Sequence, residues 1–422
     1  MLYRILTFSL FFIGHVLYSQ KLYTISEVVI EARNNNPELR TEKYNINIAS
    51  TNITTAKLRP NPILNNQNLQ LLNAKNLYLF NYGNSIENKN LLSGESRQLW
   101  FQLTKPLQLG NLRAKKINFA KQTVVSATTL YSDLNRNVSY NVALKWMDVW
   151  LLKANLSLFK NAKENIDTLV YINQNRLKNK VITPTELIRT QLLSDQYNLQ
   201  LKSLTTQYAN EVRNLKYMVG IDDSIGINDK ISLVSFDFFE NRDTLIAIAI
   251  ETRTDLAYAR SNIELSKKNI DVQHAARLPY FETGLMFNPQ NSIGYLGSYT
   301  TLNIPIFSRN QGEREKSHFL LKQSESFQLA RELQIKTEVQ NAYNSFITHK
   351  NNLVGFQSIV ENSTKVLNTV RYSYLKGNTT LIDFLDAQRT YLETQRLYNE
   401  AVFNFRKSYI EVLFTTGLIA NI

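Results

Sequence analysis

Hydrophobic residues recur at two different periods along this chain, and the switch between them divides it into elements. Ile335, Val339, Ala342, Phe346, Leu353, Phe356, Val360, Leu367, Val370 and Tyr374 follow steps of four and three, with His349 and Ser363 filling the two gaps. So narrow a stripe predicts a helix that packs lengthwise on other helices. A weaker stripe, Tyr140, Leu144, Met147, Leu151, Ala154 and Leu158, predicts a second. Helix breakers set the extent of both. The chain has 13 Gly and 8 Pro in 422 residues; none lies between Asn111 and Thr183, and only Gly355 lies between Glu313 and Gly377. Helices of that length far exceed the usual three or four turns. One running from Asn111 to about Lys178 is roughly 100 Å long, so the molecule is expected to be elongated.

Each long helix meets a short break and then a returning helix. The first break, Asn179 to Pro184, offers Thr183 as an N-cap and Pro184 at the first helical position; the second, Gly377 to Thr380, offers Gly377 as a C-terminal stop. Both are read as tips of antiparallel hairpins. The same plan occurs twice. Residues 25–62 align without a gap on 242–279, pairing Val28 with Leu245, Ala32 with Ala249, Leu39 with Leu256 and Pro62 with Pro279. FQLTKPLQLGNLRAKK (101–116) matches TTLNIPIFSRNQGEREK (300–316), and TPTELIRTQLL (183–193) matches TLIDFLDAQRT (380–390).

Between helices the period falls to two. Leu99, Phe101 and Leu103 alternate with Gln98, Trp100, Gln102 and Thr104; Thr283, Leu285 and Phe287 alternate likewise, as do Thr300, Leu302, Ile304 and Ile306. Such segments fit transmembrane barrel strands, and equally a buried soluble hairpin. The expected organisation is a signal over 1–19 and a first repeat over 20–218, comprising helix 25–57, strands about 63–107, long helix 111–178 and returning helix 185–218. A linker over 219–243 leads to a second repeat over 244–416, with helix 244–276, strands about 279–307, long helix 311–376 and returning helix 381–414, before a tail over 417–422. Four strands cannot close a barrel alone, since single-chain barrels begin at about eight, so membrane spanning requires an oligomer.

The N-terminus, MLYRILTFSLFFIGHVLYSQ, has Arg4, an apolar run from Ile5 to Val16 and the small Ser19, the pattern of a secretory signal. The run is shorter than the roughly 20 residues a permanent anchor needs. No later apolar run is long enough either, so any spanning must use strands. Cysteine is absent, which excludes disulfides, thiolate chemistry and a lipidated cysteine after the signal. The net charge is +13, but basic residues such as Lys153, Lys160, Lys163 and Arg176 are scattered without interleaved aromatics. They read as solvated helix faces, and export argues against nucleic acid as a partner.

YTISEVVIEARNNNPELR (23–40), LRPNP (58–62) and YLKGNTTLIDFLDAQRTYLETQRLYNEA (374–401), in this order within a tandem repeat, resemble the TolC family of outer-membrane efflux channels. KPLQLGNLRAKK (105–116) is similar to the pattern of its CzcC-like cation-efflux branch, with Gln108 in place of an acidic residue and Asn111 in place of a second glycine. The resemblance implies a mainly α protomer with a transmembrane β-barrel. Three copies would form a homotrimer with a twelve-stranded barrel, a periplasmic α-barrel of long antiparallel helices, and a mixed equatorial region near 219–243 and the termini. It further implies a passive duct in the outer membrane of a Gram-negative bacterium, in contact with outer-membrane lipid. A periplasmic adaptor (membrane fusion protein) and an inner-membrane RND transporter would be its partners, metal cations or small toxic molecules its cargo, and neither cofactor nor enzymatic chemistry would be needed.

Asp383 and Asp386, three residues apart, share a face near the second tip. They read simply as acids complementing a helix N-terminus; by the resemblance they match aspartates ringing the periplasmic entrance, which favour cations and are blocked by multivalent ones. Tyr374 matches a position that holds the entrance closed by hydrogen bonding. Its arginine partner in the family is Thr379 here, with Arg189 or Arg389 as substitutes. The first tip carries Glu186 and Arg189 where the second carries the two aspartates. Lys180, Thr183, Pro184 and Glu186 on one tip, and Gly377, Asn378 and Thr380 on the other, are the expected adaptor-docking residues. His274, His318 and His349 lack the spacing of a metal site, and no GxSxG, HExxH, phosphate-loop or dinucleotide pattern occurs. The alternative of another class is a trimeric coiled-coil surface adhesin or structural stalk without conduction.

Overall fold

A computed structural model of the chain describes residues 21–70, 97–222, 225–228, 241–290 and 293–421. The expected signal and most of the 219–243 linker lie outside these residues. In chain order the elements are β1 (Lys21–Tyr23), α1 (Ile25–Asn35), α2 (Pro37–Lys57), β2 (Ile63–Gln70), β3 (Arg97–Leu107), α3 (Leu112–Lys178), α4 (Pro184–Val219) and β4 (Ile225–Ile227). The second half adds α5 (Arg242–Thr252), α6 (Thr254–Ala275), β5 (Phe281–Gln290), β6 (Ile293–Leu302), α7 (Gln311–Lys376), α8 (Leu381–Thr415) and a 3-10 turn at Leu418–Asn421. No helix among the described residues is long and apolar enough to cross a membrane.

Each repeat opens with two helices where the sequence predicts one. α1 is started by Thr24, whose hydroxyl accepts from the Glu27 N–H while Glu27 accepts from the Thr24 N–H. It stops at Asn36 because Pro37 has no N–H to continue the ladder. Pro37 instead begins α2, and Asn36 Oδ1 accepts from the N–H groups of Glu38 (2.9 Å) and Leu39 (3.1 Å). In the second repeat the break falls at the aligned position, Arg253, without a proline. Buried Arg253 there donates to the Thr415 carbonyl and pairs with Glu338.

The chain forms two compact units. One is drawn from the described residues of 1–41, 133–253 and 334–422. In it β1 pairs parallel with β4, which falls within the expected linker, and the pair is fixed to α3: Trp146 Nε1 donates to the Tyr23 carbonyl at 3.1 Å and Lys153 Nζ to the Ile227 carbonyl at 2.9 Å. Ile335, Val339, Ala342 and Phe346 of the α7 stripe are buried. On α3 the buried face is wider than the predicted stripe and centres on Val142, Ala143, Trp146 and Val149, leaving Tyr140, Leu144 and Leu151 half-buried.

The other unit, 42–132 and 254–333, holds an antiparallel sheet in the order β2-β3-β5-β6, so the two strand pairs join at β3·β5. Register sorts its faces. Leu64, Leu103, Leu285 and Ser298 stand in one cross-strand row, and Asn66, Phe101, Phe287 and Leu296 in the next. This face is apolar and open, with Leu285 60% and Leu296 76% exposed. The opposite face carries Gln102, Thr104, Glu282 and Asn288; Thr104, 1% exposed, hydrogen-bonds Glu282. Gly284 sits where a Cβ would strike the Leu103 carbonyl, so β3 and β5 approach closely. The alternation expected to reach Ile306 ends at Leu302. Pro305 has no N–H for a ladder, and the Ile306 N–H turns back to the Ile304 carbonyl at 2.9 Å.

An open apolar face on strands of 10 and 11 residues suits contact with lipid. Leu285→Arg is therefore expected to weaken folding into lipid bilayers by about 2–4 kcal/mol, whereas Gln102→Lys on the polar face costs little. Urea titration of the liposome-inserted protein measures both.

Candidate functional site

The two hairpin tips share one backbone and differ in chemistry. At the end of α3 the Val181 N–H donates to the Arg176 carbonyl and the Lys180 N–H to Leu177; at the end of α7 the Asn378 N–H donates to Ser373 and the Gly377 N–H to Tyr374. Each is a Schellman closure, which places one residue in the left-handed region. That residue is Gly377 (φ 80°) in the second repeat and Lys180 (φ 57°) in the first, so the first tip carries strain that the second avoids. The returning helices then start alike. Thr183 and Thr380 are N-caps with full capping boxes to Glu186 and Asp383, and Pro184 occupies the first turn of α4.

Asp383 is accordingly occupied. Its Oδ2 accepts from the Thr380 hydroxyl (2.7 Å), the Thr379 hydroxyl (2.8 Å) and the Thr380 N–H (3.2 Å). These donors hold its pKa below the ordinary carboxylate value, the Thr380 hydroxyl most strongly, so its charge persists further into acid. Asp386, one turn on, is exposed and has no hydrogen bond or ion pair among the described residues. The side chains of Glu186 and Thr183 make the matching box on the first tip, where Arg189 is exposed in place of Asp386.

Within one copy Tyr374 does not meet Thr379, whose hydroxyl donates to Asp383. It lies in the core behind the tips, 5% exposed, with Leu169, Leu193, Leu381 and Phe384; its ring stacks on Phe384 at 5.4 Å. Its hydroxyl donates to Asn173 Oδ1 (3.0 Å), Asn173 Nδ2 donates to Thr190 Oγ1 (3.0 Å), and Thr190 donates to the Glu186 carbonyl (2.9 Å). The arginine against its ring is Arg176, 5.0 Å from the centroid, rather than Arg189 or Arg389. One polar chain thus ties α7 to α3 and α4. Asn173 and Thr190, both fully buried, were missed in the sequence. The signal was present, because Asn173 continues the stripe Ala162, Ile166 and Leu169 as a polar residue on an apolar face. Among the described residues no group of three or more His, Cys, Asp or Glu could hold a metal ion.

Residues 245–417 match the sequence profile of the family described as outer membrane efflux protein. The match is confined to the second repeat. That stretch contains β5, β6, α7 and most of α8, with Tyr374, Asp383 and Asp386; Lys180, Thr183 and Glu186 lie in the first repeat, outside it. The fold of the chain is shared over nearly its whole length with solved structures described as channels. A structure of CusC, described in terms of transmembrane channel formation, superposes with a TM-score of 0.74 at 16% identity and covers 95% of each chain. The Campylobacter jejuni CmeC outer membrane channel gives 0.74 at 14%, covering 96% of this chain and 90% of its own. The open state of the Neisseria gonorrhoeae MtrE outer membrane channel gives 0.69 at 14%, with 93% and 89% covered. No curated protein matches at the level of sequence.

Breaking the buried polar chain is expected to loosen both tips together. Asn173→Ala leaves the Tyr374 and Thr190 hydroxyls short of a partner, at about 1–3 kcal/mol. Hydrogen exchange should quicken by about tenfold or more around 166–200 and 370–392 and stay unchanged in α1, the tie between the tips being wrong if only one hairpin responds.

Proposed function

We propose that the protein is the outer-membrane channel of a tripartite efflux pump in a Gram-negative bacterium. Three copies would form a homotrimer whose sheets close a twelve-stranded barrel and whose helices enclose a periplasmic duct. The observation that carries this reading is the sheet, with an exposed apolar face, a polar face opposite and, among the described residues, unpaired outer edges at β2 and β6. An adhesin or stalk has no use for such a sheet, and the solved proteins of like fold are described as channels. No chemical step is asked of the chain; it offers a passive path.

On this reading the tips, with Lys180, Thr183, Pro184 and Glu186 on one and Gly377, Asn378 and Thr380 on the other, meet a periplasmic adaptor that links the duct to an inner-membrane RND transporter. Val181 and Ile382 leave apolar surface there for a partner. Asp383 and Asp386, repeated in three copies, would set a ring of carboxylates at the entrance, with Asp383 held charged by its threonines and Asp386 free to meet ions. Tyr374 would act one layer behind, by holding α7 against α3 and α4. Export of metal cations is supported by the likeness of residues 105–116 to the CzcC-like branch, and small toxic molecules are the other cargo class.

Purified protein in planar bilayers is expected to give stable, cation-selective conductance. Asp383→Ala with Asp386→Ala should lower cation selectivity and relieve block by multivalent cations. A non-conducting particle contradicts the channel; unchanged selectivity in a conducting double variant removes only the entrance role of the two aspartates.

A further inference from the structure

Part of the excess positive charge lies where β3 passes into α3. From Gln98 to Ser132 there is no Asp or Glu, while Lys105, Arg113, Lys115, Lys116 and Lys121 fall within that stretch. Some of these cations have structural work: Arg113 Nε donates to the Lys57 carbonyl at 2.9 Å. Five groups do not. Lys115 at the start of α3, His274 near the end of α6, Arg277 just beyond it, and Arg314 and His318 in the first turns of α7 are brought together where Gly110 packs against Leu278 and Asn310 Nδ2 donates to the Gln273 carbonyl at 3.0 Å. The His274 and His318 rings meet edge to face at 6.0 Å. Burial first, and then the charges of Arg314, Arg277, His318 and Lys115, hold the His274 pKa below its ordinary value. No side chain of the five has a hydrogen bond or ion pair among the described residues, and Arg314 Nε is buried without a partner. Glu315 lines the same hollow as Arg314, His318 and Lys322 but pairs with none of them. Gathering cations that no ion pair satisfies is unfavourable, and the position is suited to an anion.

A second observation narrows the anion. Just before α7 the loop 303–310 is closed by its own hydrogen bonds, Arg309 Nε to the Pro305 carbonyl (3.0 Å), the Arg309 N–H to Gln311 Oε1 (2.7 Å) and Gln311 Nε2 to the Phe307 carbonyl (3.1 Å). The closed loop holds Ile304, Ile306 and Phe307 outward, Phe307 being 90% exposed. Cations next to an exposed apolar shelf at the ends of strands are arranged as at a headgroup layer.

We propose that Lys115, Arg277 and Arg314 bind the phosphate of an anionic phospholipid headgroup in the leaflet on the helix side of the sheet, with Ile304, Ile306 and Phe307 against its acyl chains. The proposal rests on the sheet spanning the membrane. A free phosphate ion satisfies the charges and leaves the shelf uncovered; a lipid satisfies both.

The test reconstitutes the full-length protein in nanodiscs of mixed phosphatidylcholine and phosphatidylglycerol and counts lipids retained by native mass spectrometry. Phosphatidylglycerol should be enriched about fivefold or more over its share in the disc, and excess inorganic phosphate should leave that enrichment in place. Arg277→Gln with Arg314→Gln should abolish it, and Phe307→Ser, which keeps every charge, should reduce it. Absence of preference in the unaltered protein, displacement by inorganic phosphate, or full enrichment in the double variant overturns the lipid site. Conductance in pure phosphatidylcholine separates the two levels: a conducting protein without preference overturns this site alone, whereas one that fails to insert overturns the membrane reading with it.

Discussion

A sheet in lipid cannot leave its outer backbone groups unpaired, because each unsatisfied N–H or C=O in hydrocarbon costs several kcal/mol. Among the described residues the four-stranded sheet ends in β2 on one side and β6 on the other, and neither outer edge has a strand of the same copy to pair with. Its apolar face, built from Leu64, Leu103, Leu285 and Leu296, suits lipid, and its opposite face, with Gln102, Thr104 and Glu282, suits water or a polar lumen. Both demands are met together if β6 of one copy pairs with β2 of the next and the ring closes. The proposed trimer and central path follow from that closure, and the tandem repeat supplies the means, since each repeat contributes one strand pair and the pairs join at β3·β5.

Duplication also explains why the tips are alike in backbone and unlike in chemistry. Schellman closures at Lys180 and Gly377, and capping boxes at Thr183–Glu186 and Thr380–Asp383, are fixed by local geometry and persist in both copies. Positions that local geometry leaves free have diverged: Arg189 stands opposite Asp386, and Ile382 opposite Thr185. Buried contact between the copies falls to the chain from Tyr374 through Asn173 to Thr190, which couples the hairpins inside one protomer.

The long helices were legible because only breakers end helices, and almost none lie within α3 or α7. The paired strands were legible from period two and from the aligned prolines. What stayed hidden depended on tertiary partners or on single residues within a strong pattern. Pro37 lies inside an otherwise helical run whose apolar pattern continues past it; at Arg253 no proline marks the break, which is held by the Thr415 carbonyl and Glu338. Ile304 and Ile306 alternate like strand residues, but Pro305 between them removes a ladder donor. Asp383 and Asp386 look equivalent in sequence, and only the structure separates a carboxylate occupied by two threonines from one left free.

Closure between copies is the claim on which the channel depends, and the absence of cysteine makes it directly measurable. Single cysteines introduced at outward-facing positions of β2 and β6 in the same chain, scanned along both strands and oxidised in the membrane, report only on that contact. The account predicts covalent ladders that stop at three copies for a matched register and no bond for cysteines offset along the strands. Absence of any inter-chain bond across the scan, or a ladder that continues without limit, would contradict it.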